Sequence, residues 1–389
     1  MDYREFESQI ERAFSVGSNQ EGLQLLRGLS ASRPEDAEVH HRLAVVEEQI
    51  GVEANATVAH LQCLKHSPTN PLAYLYAGYW LAKLGRKAEA LSLYSLGIEL
   101  TEMTTAPGEV QALSPETRRR FDAAMSAVRV HLSEQHRRIV GPDESNRRIA
   151  EAVWTRTHDK PFSFPDSGQK PQLLCVPGLS TSINRERMPW VRQLEEVAGD
   201  IKEELLAAMP LVAELGRPYL SAGTSPQAGF GSLVGSMDWT ALDLFREGEC
   251  QAETLPLFPK THSALSRVPL YGLTELPYEV FFSVLKPGQH INPHYGLSNH
   301  SLTVHLPLIV PENCWLTVNG KKHVWKEGEV LLFDDTFLHE AVNNSPDVRV
   351  VLIFSVWHPD LSPGEQEALR RTIQARSDWF SARAVPVQV

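Results

Sequence analysis

The chain has 389 residues, of which 42% are hydrophobic and 22% are charged, so it is long enough for two domains and has a globular composition. Its formal net charge of −11 argues against a nucleic-acid partner, because phosphate binding requires a basic surface. The first residues are charged and no long apolar run follows, so the sequence predicts neither a signal peptide nor a membrane span. Four scattered cysteines without a CxxC pair favour free thiols in a reducing compartment, and we expect a cytoplasmic protein.

Residues 6–100 have the apolar spacing of helices. Glycines recur there with a period of 34 residues, at Gly17, Gly51 and Gly85. A 34-residue period with Gly between two helices is the tetratricopeptide signature, and it predicts three repeats. The third repeat matches best, and its small residues Gly78 and Ala90 are expected to let neighbouring helices approach closely. Such a solenoid either supports the second domain or offers a groove to a peptide or protein partner, and the sequence leaves both open.

Helical spacing continues over residues 114–153, and a stretch rich in Pro, Ser and Gly follows it. The sequence therefore predicts three segments, namely a helical repeat domain at 1–156, a linker at 157–172 and a second domain at 173–389. Helices are expected within this second domain from Pro189 to Leu211 and from Pro363 to Trp379.

The second domain contains short segments rich in Val, Leu, Ile and Phe, which are typical of β-strands. These segments are Glu279–Leu285, Ser301–Val310, Glu329–Phe333 and Val348–Val356. Turn signals such as Asn319-Gly320 separate them. Several short strands with this punctuation predict a sandwich or barrel of the jelly-roll type.

Two histidines in this region, His294 and His339, lie 45 positions apart, and histidines at the mouth of a small barrel can converge on one metal. Imidazole suits Fe(II), whose usual non-haem site has two His and one carboxylate. A His-x-Asp motif normally supplies the first two ligands, but Gly296 stands at the carboxylate position here. By itself this pattern weakens the case for iron. Asp334 and Asp335 follow a strand end, which favours a turn or loop role for them.

Arg349 lies ten residues after His339 on the next apolar strand. A buried Arg on a barrel strand needs an anion, since an unpaired buried charge is costly. Its bidentate fork suits a carboxylate.

Several motifs of this domain occur in a characteristic order over roughly Leu173 to Leu361. They are Ser283-(x)10-His294-Tyr-Gly-Leu-Ser-Asn, Leu302-x-x-His305-Leu, Trp325-x-x-Gly328-x-Val-Leu-x-Phe-Asp-Asp-x-Phe-x-His339-Glu, Arg349 and Val356-Trp-His-Pro. In this order they resemble the aspartyl/asparaginyl β-hydroxylase family of Fe(II)- and 2-oxoglutarate-dependent oxygenases. The resemblance implies an α+β fold class, with an all-α tetratricopeptide-like solenoid before a double-stranded β-helix (jelly-roll) oxygenase domain with flanking helices.

The resemblance also implies the roles of individual residues. The family has Gly at the position of Gly296 and binds Fe(II) with two His alone, which makes His294 and His339 the expected metal ligands. The cosubstrate 2-oxoglutarate would bind through its distal carboxylate to Arg349, and O2 would bind at the metal. Arg349 and the two histidines are the expected catalytic residues. Further cosubstrate-binding positions are Ser283, His305, Thr303 and Trp239. At Thr303 the family usually has a second Arg, and Trp239 matches an aromatic residue near the active site.

The function implied by the resemblance is hydroxylation of an unactivated C–H bond. We expect the β-carbon of an Asp or Asn residue in a peptide, protein or small amino-acid-containing molecule, bound partly by the repeats, with no nucleic acid and no membrane involved. A lipid acyl chain is a weaker alternative. Two other classes of function stay open. One is a repeat-mediated binding protein with a catalytically degenerate barrel, which is favoured by Thr303 at a position where the family usually has Arg. The other is a cupin-like metal enzyme such as an isomerase.

Overall fold

The computed structural model describes residues 3–50, 52–104, 114–164, 166–222 and 229–385. The chain forms two compact units, residues 1–134 with 377–389 and residues 135–376. The segment predicted as a linker, 157–172, lies inside the second unit. The division between the two units falls after residue 134 and not at this segment. The physical reason is that this segment ends in main-chain hydrogen bonds to the barrel, from Lys170 N to Thr336 O (2.8 Å) and from Gln172 N to Gly296 O (3.1 Å).

The first unit is helical, as the sequence predicts. Its helices are α1 (Tyr3–Ser15), α2 (Asn19–Ser32), α3 (Ala37–Ile50), α4 (Glu53–His66), α5 (Pro71–Lys83), α6 (Lys87–Thr104) and the first part of α7 (Pro115–Val140). From α1 to α6 each helix packs against the next one in the chain. Gly17 and Gly85 have φ angles of 76° and 79°, which let the chain turn between paired helices, whereas Gly51 lies outside the described residues.

The close helix approach expected at Gly78 is confirmed. A Cβ at Gly78 would lie 2.7 Å from the ring of Tyr94, so α5 and α6 touch at a point where only glycine fits. A partly buried carboxylate, that of Glu48, joins further helices of this unit. Glu48 accepts hydrogen bonds from both Nη atoms of Arg120 (2.9 and 2.8 Å), and Trp80 Nε1 donates to it at 2.5 Å. The charged groups in this interior are thus paired, as buried charges must be.

The second unit carries the strands, which form antiparallel pairs. They are β1 (Val153–Trp154), β2 (Leu174–Cys175), β3 (Arg217–Pro218), β4 (Trp239–Arg246), β5 (Glu249–Cys250), β6 (Glu279–Leu285), β7 (His290–His294), β8 (Ser301–Ile309), β9 (Cys314–Val318), β10 (Lys321–His323), β11 (Leu331–Phe333), β12 (His339–Asn343) and β13 (Arg349–Trp357). One sheet has the order β11-β8-β13-β6-β4-β3, and another has the order β10-β9-β12-β7. From β6 to β13 each strand lies in the other sheet from the strand before it, except that β9 and β10 form a hairpin within one sheet. This is the order of a double-stranded β-helix, which confirms the predicted fold class.

Helices flank the barrel. In the described part of this unit they are α8 (Arg147–Ala150), α9 (Pro189–Glu196), α10 (Ala198–Ala208), α11 (Val212–Leu215), α12 (Pro259–Leu265) and α13 (Pro363–Ser381), which continues into the first unit. The single helix expected from Pro189 to Leu211 is interrupted, because Val197 leaves helical geometry between α9 and α10. No helix in the described ranges is both long and apolar enough to cross a membrane. The four cysteines are free thiols, as expected.

Strand β13 shows how the fold separates core from cavity. Val350, Leu352 and Phe354 belong to a hydrophobic core that includes residues of α9, α10 and α12. Arg349 and Ser355 point to the opposite face, since side chains alternate along a strand, and both line a cavity in the barrel. The barrel therefore places a row of polar side chains inside one open space.

Candidate active site

The barrel encloses a cavity of about 480 Å³. All the residues predicted to form the site line it, namely Trp239, Ser283, His294, Thr303, His305, His339 and Arg349. They come from β4, β6, β7, β8, β12 and β13. The barrel therefore brings together side chains that are as far as 110 positions apart in the chain.

His294 and His339 face each other across the pairing of β7 with β12, where they stand in register. Their ring centroids lie 4.0 Å apart. His294 Nδ1 donates to the carbonyl of Asn292 at 2.8 Å, and His339 Nδ1 donates to the carbonyl of Phe337 at 3.0 Å. Because a carbonyl oxygen can only accept a hydrogen bond, each neutral ring carries its single N–H proton on Nδ1. This tautomer leaves the Nε2 lone pairs free, and histidines that bind metals are held in the same way.

The electrostatic surroundings keep both rings neutral. Burial lowers the pKa of His294. Burial, and the repulsion from His294 when that ring is protonated, lower the pKa of His339 to about 4. A neutral imidazole is the form that binds a metal ion. No group of three or more His, Cys, Asp or Glu side chains within the described ranges is arranged to hold a metal, so a metal here would have two protein ligands.

Arg349 is 1% exposed and forms no ion pair with a carboxylate in the described part of the chain. One Nη atom donates weakly to Ser283, at 3.4 Å to the carbonyl and 3.3 Å to Oγ, while Nε has no partner. Burial lowers the pKa of Arg349 to about 10, so it stays charged at neutral pH. An unpaired buried cation is costly, and the free donors of its planar fork fit a carboxylate that enters the cavity.

Ser283 is positioned by its neighbours. Trp239 Nε1 donates to Ser283 Oγ at 3.1 Å, and Arg349 donates to the same oxygen. Because both contacts use Oγ as the acceptor, the hydroxyl hydrogen of Ser283 remains available to a ligand. His305 is buried beside the rings of Trp325 and Phe333, and its Nδ1 has no partner among the described residues.

The family model for aspartyl/asparaginyl β-hydroxylase matches residues 195–359, which contain all of these side chains. Residues 195–359 of this chain are therefore similar to that family. The human aspartyl/asparaginyl β-hydroxylase is 26% identical over 372 residues, which are 92% of this chain and 43% of the human protein. The mouse aspartate β-hydroxylase domain-containing protein 2 is 30% identical over 217 residues, or 55% of this chain and 62% of that protein.

The chain thus spans less than half the length of the human relative. Among solved structures, a cupin 2 conserved barrel domain protein from Salinispora arenicola overlaps with 24% of this chain and 71% of its own at 15% identity and a TM-score of 0.18. The fold is defined by the strand order of this chain and not by that overlap.

Packing requires glycine at position 296, where a His-x-Asp motif has its carboxylate ligand. A Cβ at this position would lie 2.1 Å from Oδ1 of Asp335, and Gly296 N donates to the Asp335 carbonyl at 2.7 Å. The carboxyl group of Asp335 therefore occupies the space that a side chain at 296 would need.

Thr303, where the family usually has Arg, faces the cavity and donates to Asp335 Oδ2 at 3.1 Å. Burial and the charge of Asp334 raise the pKa of Asp335 to about 7, and the hydrogen bond from Thr303 opposes that rise. The turn role expected for the two aspartates holds for Asp334, whose carboxylate accepts from Gln169 and Thr336. The turn role does not describe Asp335 fully, because this residue also lines the cavity.

Sequence reasoning missed other lining residues. Tyr219 stacks on Trp239 with ring centroids 4.2 Å apart, and His300 and Glu279 also line the cavity. Glu279 could have been found, because it lies four residues before Ser283 on a strand predicted with the observed bounds and so shares its face. Tyr219 comes from outside the regular strands and has no periodic signal. His290 and His358, by contrast, bond Glu340 and the Ser180 carbonyl and do not line the cavity.

Proposed function

We propose that this protein is an Fe(II)- and 2-oxoglutarate-dependent oxygenase that hydroxylates the β-carbon of an Asp or Asn residue. The observation that carries the proposal is that two histidines with free Nε2 atoms share one cavity with the buried, unpaired Arg349. The histidine pair suits a metal ion, and Arg349 suits a carboxylate. The names of the human and mouse relatives support Asp or Asn as the target.

The donor set fits iron, because imidazole is a good ligand of Fe(II) and the Nδ1 contacts fix both rings for coordination. His294 and His339 would hold the metal. When bound, iron and 2-oxoglutarate supply the activation of O2 and the removal of a hydrogen atom from an unactivated C–H bond. The protein contributes binding, orientation and the exclusion of water.

The cosubstrate would be held at the Arg349 end of the cavity. The guanidinium would form a charge-assisted pair with the distal carboxylate of 2-oxoglutarate, and the free hydroxyl hydrogen of Ser283 would donate to the same group. Trp239 would act as a positioning residue, since its Nε1 fixes Ser283. His305 would add a hydrogen bond through a ring nitrogen that lacks a protein partner.

Aromatic rings close the space around the histidine pair. The Phe230 ring lies 5.0 Å from the ring of His294, and the Phe333 ring lies 5.5 Å from that of His339. Such rings restrict the access of water, which would protect a reactive site from side reactions.

The helical repeats of the first unit are proposed to contribute to substrate binding, because repeat solenoids commonly bind extended peptides. A substrate that is a peptide or protein segment with Asp or Asn would use both the repeats and the barrel.

The experiment that tests the proposal identifies a product. The full-length protein is incubated with Fe(II), 2-oxoglutarate, O2 and a library of peptides with Asp or Asn, and fragmentation mass spectrometry locates any added oxygen. We expect one oxygen on the β-carbon of one residue, and none in the His339→Ala variant. Succinate formation with oxygen placed elsewhere, for example on Pro or Lys, would contradict the Asp/Asn assignment.

A further inference from the structure

The cavity continues beyond the histidine pair to a region that the proposed chemistry does not use. Glu279 and Ser283 share one face of β6, and four residues of strand span about 13 Å. We call this region the distal lobe. Its residues are Tyr219, Tyr271, Tyr278, Glu279, His300 and Ser355, and all of them line the cavity.

Glu279 is the acidic group of the distal lobe, and it forms no ion pair with a described residue. Its hydrogen bond in the described part of the chain is a long one of 3.5 Å from Ser355 Oγ. The Arg near it, Arg217, is bound to Asp243 by contacts of 2.6 and 3.1 Å and also donates to the carbonyls of Pro218 and Tyr219. Burial raises the pKa of Glu279, while the hydrogen bond from Ser355 and the charge of Arg217 oppose that rise.

Tyr219, Tyr271 and Tyr278 line the distal lobe together with Glu279. Burial raises the pKa values of these three tyrosines, and the charge of Glu279 raises each of them further. The rings of Tyr271 and Tyr278 are 5.7 Å apart, and Tyr219 lies 5.2 Å from the ring of Phe281. These rings belong to the wall of the lobe.

The remaining polar group of the lobe carries no charge. His300 is 4% exposed, and neither of its ring nitrogens has a hydrogen-bond partner in the described part of the chain. Burial lowers the pKa of His300 to about 4, so the ring is neutral at pH 7 and offers one acceptor nitrogen. Among the described residues that line the cavity, Arg349 is the one Lys or Arg, and it belongs to the cosubstrate end.

A carboxylate, an acceptor nitrogen and several aromatic rings without a cation are the chemistry that recognises a positively charged nitrogen. Cations bind the faces of aromatic rings, and a buried carboxylate is stable when it is paired. We propose that the distal lobe binds an alkylammonium group of the substrate, paired with Glu279, while another part of the substrate is hydroxylated at the histidine pair. This substrate class rests on the proposed function, because it assumes that the cavity is the oxygenase site.

The opposite charge is disfavoured there. A second substrate carboxylate would meet the acidic Glu279, and the one Lys or Arg among the described residues that line the cavity, Arg349, belongs to the cosubstrate end. The lobe therefore selects a substrate that carries a positive charge near its Asp or Asn residue.

The test measures binding without turnover. Butylammonium, 1-butanol and butyrate have similar size and differ in charge, and saturation-transfer NMR measures their affinities for protein loaded with Mn(II) and 2-oxoglutarate. We expect butylammonium to bind wild type at least tenfold more tightly than 1-butanol, and butyrate to bind most weakly. Glu279→Gln should abolish the preference for the cation. Glu275→Gln is the matched control, because it removes the same charge from an exposed position outside the cavity, and it should keep the preference.

A second variant guards against misfolding of Glu279→Gln. Tyr278→Leu removes a ring and retains the carboxylate, and it should weaken butylammonium at least threefold more than it weakens 1-butanol. The inference is overturned if wild type binds butylammonium and 1-butanol equally, or if a folded Glu279→Gln variant keeps the preference.

The two proposals fail separately. If the preference for the cation is present but no 2-oxoglutarate is consumed with Fe(II), the oxygenase assignment is wrong and the cation-binding lobe stands. If hydroxylation is observed but the wild type shows no preference for the cation, the lobe assignment is wrong and the oxygenase stands.

Discussion

Replacing Arg349 by Ala should weaken 2-oxoglutarate binding by at least about a hundredfold. The guanidinium is buried, has no ion pair within the described ranges and retains an unused Nε donor, so the cosubstrate carboxylate would be its partner. Removing one partner of a buried charge pair costs roughly 3–5 kcal/mol. Since about 1.4 kcal/mol corresponds to a tenfold change in Kd, a loss of a hundredfold is the lower end of the expectation.

The assay is calorimetric titration of 2-oxoglutarate into protein loaded with Mn(II), which replaces Fe(II) without turnover. Arg349→Lys should recover only part of the affinity, because an ammonium cannot reproduce the two parallel hydrogen bonds of the guanidinium. Arg148→Ala serves as the control. Arg148 is bound to Glu365 and to the carbonyl of Asp360 and does not line the cavity, so its loss should leave 2-oxoglutarate affinity unchanged. An unaltered affinity in a folded Arg349→Ala variant would refute the assignment of this arginine.

Further predictions concern the metal site and its surroundings. Replacing both His294 and His339 by Ala should abolish the binding of one Mn(II) per chain while the far-ultraviolet circular dichroism stays unchanged, and wild-type metal affinity in this variant would exclude the site. Thr303→Arg should tighten 2-oxoglutarate binding severalfold in the same calorimetric assay, because residue 303 lines the cavity, and a weaker binding would show that the new charge is not available to the cosubstrate. Gly296→Ala should lower the free energy of unfolding by about 1–3 kcal/mol in urea titrations, since its Cβ would overlap Asp335. The control Gly199→Ala should cause no loss, because its Cβ meets nothing within 4 Å.

Part of the barrel could be predicted from the sequence, because four of its strands carry strong local signals. The bounds of β6 agree with the prediction, and β8, β11 and β13 differ from it by at most two residues at either end. The order of the motifs also indicated which side chains meet, and all seven predicted site residues line one cavity. Their chemical roles stay predictions until metal and cosubstrate binding are measured.

Other features could not be read from local patterns. Asp335 follows a strand as a turn residue would, and only the packing against Gly296 shows that its carboxyl group enters the cavity. The distal lobe combines Tyr219, Tyr271 and His300 from three separate segments, and no spacing rule relates them. The segment 157–172 has the composition of a linker, yet its end is fixed to the barrel by main-chain hydrogen bonds, which composition does not record.

The measurement that tests the central claim most directly is the conversion of 2-oxoglutarate to succinate by the purified full-length protein. The account predicts succinate formation that requires Fe(II) and O2, rises when a suitable substrate is added, and is lost in the His294→Ala and His339→Ala variants. An oxygenase would show this conversion, whereas a degenerate barrel and a cupin-like isomerase would not. Absence of 2-oxoglutarate consumption by protein that binds Fe(II) and a hydroxylatable peptide would contradict the account.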